Sequence, residues 1–268
     1  MLKRLSRIPR VIRRDGLWYT IKRSIAWFIS HTPLAYHASF LYYQDTRLVF
    51  APSMLTYRIF ADRKTRSGDI KAMEENIKTG DIVIDIGANA GTFTIIASKL
   101  AGHSGRVMAF EPSPKFSKII QSNINVNKFN DFVTVHQVAM GATPGTVYLN
   151  EMVADDTTNY VSGSGTSVPQ ATLDSFTKNI DVIDLIKIDA EGSELEVLKG
   201  AEESLCKTRI LLFEICNKTL NRNRVNVEEL YQMLIKNFNL YYKHGKAPFI
   251  LDPKEDYNTD LIGYSKHI

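Results

Sequence analysis

The chain has 268 residues, 44% of them apolar, enough for one sizeable core or a core with an appendage. Its two cysteines, Cys206 and Cys216, make neither a disulfide framework nor a metal quartet, so a reducing compartment, the cytoplasm, is expected. The net charge of +4 is uneven: residues 1–44 carry eight Lys/Arg against the single acid Asp15, a net of +7, which leaves −3 for the other 224 residues.

No apolar run with a small-residue cleavage site opens the chain, so no cleavable signal is expected. Residues 1–30 alternate basic and apolar groups. Trp18, Ile21, Ile25 and Phe28 recur at helical spacing, with Arg14, Lys22 and Arg23 on or near the opposite side. Two readings stand for this stretch. One is an interfacial helix making peripheral contact with an anionic membrane, at its inner face; the other is a helix that packs its aromatic face on the body. Nucleic-acid binding is not expected, because no recognised motif accompanies the charge. Ser24 to Gln44 is uncharged, but His31, Pro33, His37 and Gln44 argue against a membrane span. Residues 31–60 are rich in aromatics and suit a substrate-side cap or a connecting layer. Residues 1–60 are therefore set apart as an N-terminal extension, and 61–268 as the main domain.

Ile70 to Lys78 predicts a helix that stops at Gly80. Ile82, Val83 and Ile84 are too short a run for a helix and predict a strand buried on both faces. Gly87 and Gly91 follow, and Thr92 onward reads as helix. Arg106 to Phe110 is a second strand, Pro114 to Asn127 a helix, and Phe132 to Val138 a third strand. This alternation predicts a parallel sheet covered on both faces. Thr146 to Leu149 reads as a short strand. Asp155 to Gln170 shows no apolar periodicity and is expected to be a mobile lid. Leu185 to Asp189 is the fourth core strand, followed by a helix over 193–205 and a fifth strand at Ile210 to Glu214. An amphipathic helix at Val227 to Phe238 and strands at Leu240 to Lys243 and Leu261 to Tyr264 complete the sheet.

A strand running through a Gly-bearing turn into a helix leaves backbone N–H groups facing a crevice. The glycines are spaced G-x-x-x-G, so the G-x-G-x-x-G fingerprint for a pyrophosphate is missing. A ligand without phosphate fits better. Asp85 can hold a turn or meet an ammonium, and Glu111, ending the second strand, can accept two ribose hydroxyls or serve a helix N-terminus. Asp85, Gly87, Gly91 and Glu111 together point to S-adenosyl-L-methionine.

The segments VIDIGANAGTF, AFEPSP, QVAMG, ATLDSF, DLIKIDAEGSELEVLKGA and LLFEI resemble, in order and spacing, the FkbM family of S-adenosylmethionine-dependent methyltransferases. They cover roughly residues 70 to 215. The resemblance implies a class I, Rossmann-like α/β fold with a seven-stranded, mostly parallel sheet and a reversed last strand. It also implies methyl transfer to a hydroxyl of a sugar, glycan or related natural product. Residue by residue, it places Asp85, Gly87, Asn89 and Gly91 around the methionine end of the cofactor, with Ala88 and Thr92 in the same turn. Glu111 and its neighbour Pro112 fall at the ribose, and Gln137, Val138 and Ala139 near the adenine. The first 60 residues lie outside the resemblance.

For the acceptor side, period-two alternation puts Leu185, Lys187 and Asp189 on one face of the fourth strand. A buried lysine and aspartate need partners. Asp189 and Glu191 reach the same sheet edge as Gly87 and Glu111, and Glu214 ends the neighbouring strand there. Asp189 or Glu191 can serve as general base for a hydroxyl, with Lys187 pairing or tuning it; otherwise Lys187 and Asp189 form a structural network. A divalent ion such as magnesium among Asp189, Glu191 and Glu214 is an open alternative. Of the histidines, His244 alone is a candidate substrate contact. The rival functions are a nicotinamide-dependent sugar oxidoreductase or epimerase and a non-catalytic, membrane-associated glycan-binding module.

Overall fold

The computed structural model describes residues 16–150, 160–243, 247–252 and 254–268. Helix Leu17–Ser30 (α1) precedes an antiparallel hairpin, Ser39–Leu41 (β1) with Arg47–Val49 (β2). Helix Met54–Ala61 (α2) is started by Ser53, whose hydroxyl accepts the Thr56 N–H at 3.4 Å. A 3-10 turn at Arg63–Arg66 leads into Ser67–Asn76 (α3). The boundary drawn after residue 60 falls inside α2. Phe40, Phe50 and Ile59 share one apolar cluster with Val83 and Ile95, so the extension is a layer of the main core.

The strand–helix alternation then builds the central sheet through Ile82–Ile86 (β3), Thr92–Ala101 (α4), Arg106–Phe110 (β4), Pro114–Asn127 (α5) and Val133–His136 (β5). Alternate residues divide between two layers. Val83, Val107 and Leu185 face the extension with α4 and α5, while Ile84, Met108 and Ile186 face the other side. Each such burial contributes roughly 1.5–3 kcal/mol.

After β5 the alternation stops. Ala139–Met140 (β6), Gly145–Asn150 (β7), Tyr160–Ser162 (β8) and Thr166–Ala171 (β9) form a second sheet in the order β6-β9-β7-β8. The mobile lid expected over 155–170 is thereby corrected: residues 160–162 and 166–170 are strands, and 155–159 lie outside the described residues. This small sheet buries little, with Val168 packed against Ala139 and Leu149, and so leaves no periodic apolar signal.

Leu173–Thr177 (α6) returns the chain to the central sheet at Ile183–Ile188 (β10). The single helix expected over 193–205 is two, Glu194–Lys199 (α7) and Glu202–Cys206 (α8). The break falls at Gly200, where a Cβ would lie 1.9 Å from the Gly141 carbonyl oxygen. Thr208–Cys216 (β11), Asn217–Arg222 (α9), Val227–Asn237 (α10), Phe238–Tyr242 (β12) and Asn258–Ser265 (β13) complete the chain.

The central sheet runs β12-β13-β11-β10-β3-β4-β5, with β13 antiparallel to both its neighbours. That is the seven-stranded, mostly parallel sheet with a reversed last strand expected of the class I methyltransferase fold. Because β13 is reversed, its first residues meet the carboxyl ends of β3, β4, β10, β11 and β12 at one edge.

Candidate active site

Gly87 leaves β3 with φ +73°, and the Asp189 carbonyl oxygen lies 1.8 Å from where its Cβ would be. Only a residue without a side chain fits there. The N–H groups of Gly87 and Ala88 both donate to the Phe110 carbonyl, at 3.0 and 3.1 Å, which ties the turn to the end of β4. Asn89 (φ +51°) caps its own turn, its side-chain oxygen accepting the Ala90 N–H at 2.7 Å. Gly91 (φ +75°) starts α4 and packs on Ile120, so its smallness serves the helix contact.

Glu111 is buried, with one carboxylate oxygen accepting the Asn89 N–H at 2.8 Å and the other the Ser113 N–H at 2.9 Å. Burial pushes its pKa up to about 7, against the lowering effect of those two N–H groups. These residues border a cavity of about 500 Å³. Gly87, Ala88, Asn89, Thr92, Glu111 and Pro112 line it, and Phe110, Val138, Ala139 and Met140 give it an apolar wall. Asp85, Gly91 and Gln137 do not line it: Asp85 is fully buried behind the wall, and Gln137 is exposed.

Lys187, Asp189, Glu191 and Glu214 line the same cavity, beside the Gly87 turn. Lys187 Nζ lies 3.3 Å from both Asp85 Oδ1 and Asp189 Oδ2, and donates to the Gly87 carbonyl at 3.2 Å. Burial pulls the Lys187 pKa down, but the two carboxylates outweigh it and the ammonium stays charged. The other Asp85 oxygen accepts the Thr94 hydroxyl at 2.6 Å. Asp85 therefore anchors Lys187 and α4, and both its carboxylate oxygens are engaged inside the protein rather than turned to a ligand's ammonium. Burial pushes Asp189 up, yet Lys187, a hydrogen bond with Glu214 and the charge of Arg66 hold it below the usual carboxylate range.

The neighbouring glutamates behave differently. Burial and then the Asp189 charge push Glu214 up to about 8, so at neutral pH it carries the proton that it shares with Asp189. Burial and the same Asp189 charge raise Glu191 to about 7. Glu191 sits at φ +51° in a loop fixed from below by Glu194, which accepts the N–H groups of Ala190 and Gly192, both at 3.0 Å. The Arg222 guanidinium donates to the Glu191 carbonyl and lies 3.8 Å from the Tyr160 ring centroid, joining this loop to β8. The magnesium alternative finds no support: among the described residues no group of three His, Cys, Asp or Glu could hold a metal ion. Asp189 already faces an ammonium and a carboxyl proton.

Sequence reasoning missed a second charged row on the cavity wall. Arg66 pairs with Asp69 at 2.7 Å, and Lys243 bridges Asp69 and Asp260, the latter at 2.9 Å. Tyr42 and Arg58 of the extension also line the cavity. The missed signal was topological: β12 ends and the reversed β13 begins at this edge, which brings Lys243 and Asp260 beside Glu214. His244 lies outside the described residues.

The model of the family described as Methyltransferase FkbM domain matches residues 85–244, from the end of β3 to just beyond β12. The chain belongs to this family. Within curated proteins, this FkbM-family chain is 25% identical over 147 residues to Methyltransferase 1 of Beauveria bassiana (strain ARSEF 2860), covering 45% of this chain and 58% of that protein. It is 28% identical over 151 residues to the hexuronic acid methyltransferase AglP of Haloferax volcanii, covering 54% of this chain and 60% of that one. The chain thus spans less than two thirds of either relative's length. A solved O-methyltransferase from Bacillus cereus in complex with SAH is 17% identical, with 75% of this chain and 81% of that chain covered and a TM-score of 0.46.

Proposed function

We propose that this FkbM-family chain transfers the methyl group of S-adenosylmethionine to a hydroxyl of a sugar or related polyhydroxylated acceptor. The observation that carries the reading is the meeting, in one cavity, of a phosphate-free ligand seat at Gly87 and Glu111 with a carboxyl, Glu191, whose pKa lies near 7.

The donors and acceptors at the seat suit that cofactor. Each Glu111 oxygen accepts one backbone N–H and keeps a second acceptor position, which matches a ribose diol. A pyrophosphate would meet this carboxylate as a like charge. The wall of Phe110, Pro112, Val138 and Met140 suits a purine face. S-adenosylmethionine supplies, when bound, a methyl group on a positively charged sulfur that an oxygen nucleophile can displace.

The chain's own residues then divide the work. Glu191, half ionised near neutral pH, accepts the proton of the acceptor hydroxyl. Asp189 is held ionised by Lys187 and is the weaker base of the two. Lys187 ties the ends of β3 and β10 together through Asp85 and the Gly87 carbonyl, which holds the Gly87 turn against Asp189, and positioning supplies much of the rate. The row Arg66–Asp69–Lys243–Asp260 offers alternating donors and acceptors, as a hydroxyl-rich ring requires. The hexuronic acid methyltransferase among the relatives favours a sugar of that kind.

Calorimetry with S-adenosylhomocysteine and with NAD tests the donor, and transfer of labelled methyl to free and lipid-linked glycans tests the acceptor. Binding of S-adenosylhomocysteine without an NAD response is expected. The reverse result would assign the site to a dinucleotide enzyme, and cofactor binding with no transfer to any glycan would remove the sugar reading.

A further inference from the structure

Helix α1 packs on the body through one side only. Ala26 and Ser30 are buried, Ile29 joins the core, and the Ser30 hydroxyl lies 2.6 Å from the Tyr57 hydroxyl of α2. The aromatic stripe is on another side. At 100° per residue, Leu17, Trp18, Ile21, Ile25 and Phe28 fall within an arc of about 100°. Leu17, Trp18 and Phe28 are 56%, 75% and 65% exposed, and Ile21 and Ile25 are exposed as well. Among the described residues, the aromatic face therefore does not pack on the body.

A contiguous apolar face of this kind marks a docking surface. Its surroundings say what it meets. Lys22 is exposed on the same helix, and the fifteen residues before Gly16 carry, in the sequence, Lys3, Arg4, Arg7, Arg10, Arg13 and Arg14 against Asp15. At 14 residues α1 is roughly 21 Å long, short of a bilayer core. No helix among the described residues is long and apolar enough to cross a membrane. The sequence around the stripe is strongly cationic, a charge that a second copy would share and that anionic headgroups complement.

We infer that α1 lies in the plane of an anionic phospholipid surface, with Trp18, Ile21, Ile25 and Phe28 inserted among the lipids. This inference is independent of the methyl-transfer reading.

The chain's two tryptophans, Trp18 and Trp27, are both on α1, so tryptophan emission reports this helix alone. The full chain is titrated with phosphatidylcholine vesicles with and without phosphatidylglycerol, followed by emission and by sedimentation. A blue shift and pelleting with the anionic vesicles, reduced by salt, are expected. The double variant Trp18→Ser/Phe28→Ser should lower partitioning at least about tenfold with its unfolding midpoint unchanged. Emission and pelleting that ignore anionic lipid, or equal partitioning of the variant, would overturn the inference. So would a lipid-free dimer whose tryptophan emission is already blue-shifted, because the stripe would then be a self-association face.

Discussion

Glu191→Gln tests the assignment of the base most directly. The amide keeps the shape of the side chain and the backbone at φ +51°, and removes only the proton-accepting charge. Positioned general bases contribute about 10²–10⁴-fold, so turnover should fall by that factor, equivalent to roughly 2.7–5.5 kcal/mol in the barrier. The pH dependence makes the test specific. With a pKa of about 7, Glu191 is ionised above neutrality and protonated below it. The wild-type rate should therefore rise with pH and level off above about 7, losing nearly tenfold per unit on the acidic side. The residual rate of Glu191→Gln should be flat across that range. Asp189→Asn gives the contrast: the base is still present, so an acidic limb should persist, moved to lower pH because the Asp189 charge that helps raise Glu191 is gone. The assay is initial-rate transfer of labelled methyl from pH 5.5 to 9, with cofactor affinity measured in parallel. A Glu191→Gln enzyme with wild-type turnover, or one that keeps the limb near pH 7 while Asp189→Asn abolishes it, would refute the reasoning.

Glu111→Gln should weaken S-adenosylhomocysteine binding by roughly 1.5–3 kcal/mol, the worth of hydrogen bonds to a charged group; unchanged calorimetric affinity would remove Glu111 from the ribose. Because the Glu111 carboxylate is the binding form and its pKa is about 7, wild-type affinity should fall about tenfold between pH 8 and pH 6, and the glutamine variant should lack that slope. Lys187→Met leaves Asp85 and Asp189 without their cation and should cost about 3–5 kcal/mol in urea unfolding. Adding Asp85→Asn should recover part of that loss, and additive losses would show that the pair is not coupled.

The sheet was legible because its strands are buried on both faces and its turns carry glycine. The predicted strand at Arg106–Phe110 and helix at Pro114–Asn127 have the observed bounds, since each is a continuous apolar or periodic run with clear ends. The role of Asp85 was less legible. The same alternation that placed Lys187 and Asp189 on one face also places Asp85 opposite Lys187 on the neighbouring strand. Counting both strands together predicts their ion pair and takes Asp85 out of the ligand seat. Tyr160, on the cavity wall, was hidden because the second sheet buries so few residues. Lys243 and Asp260 are far from the motifs in sequence and become neighbours only through the reversal of β13.

The strand edge holds more acids than its cations can keep ionised, and that imbalance is itself a functional device. Lys187 stands between Asp85 and Asp189 at ion-pair distance from each, and its charge holds Asp189 below the usual carboxylate range. Glu111, Glu191 and Glu214 share the same desolvated edge without such a partner at equal range, and all three are raised to about 7 or 8. The two aspartates therefore hold the structure, while the glutamates can change protonation as a ligand arrives. A ligand bringing positive charge to this cavity favours their ionised forms and lowers their pKa values. At pH 7 its binding should then release protons, visible as a dependence of calorimetric heat on the ionisation enthalpy of the buffer. S-adenosylmethionine carries the sulfonium charge and S-adenosylhomocysteine does not, so the former should release more protons than the latter. Equal release by the two would mean that the sulfonium sits away from Glu191 and Glu214, and the acceptor side would have to be sought elsewhere on the edge.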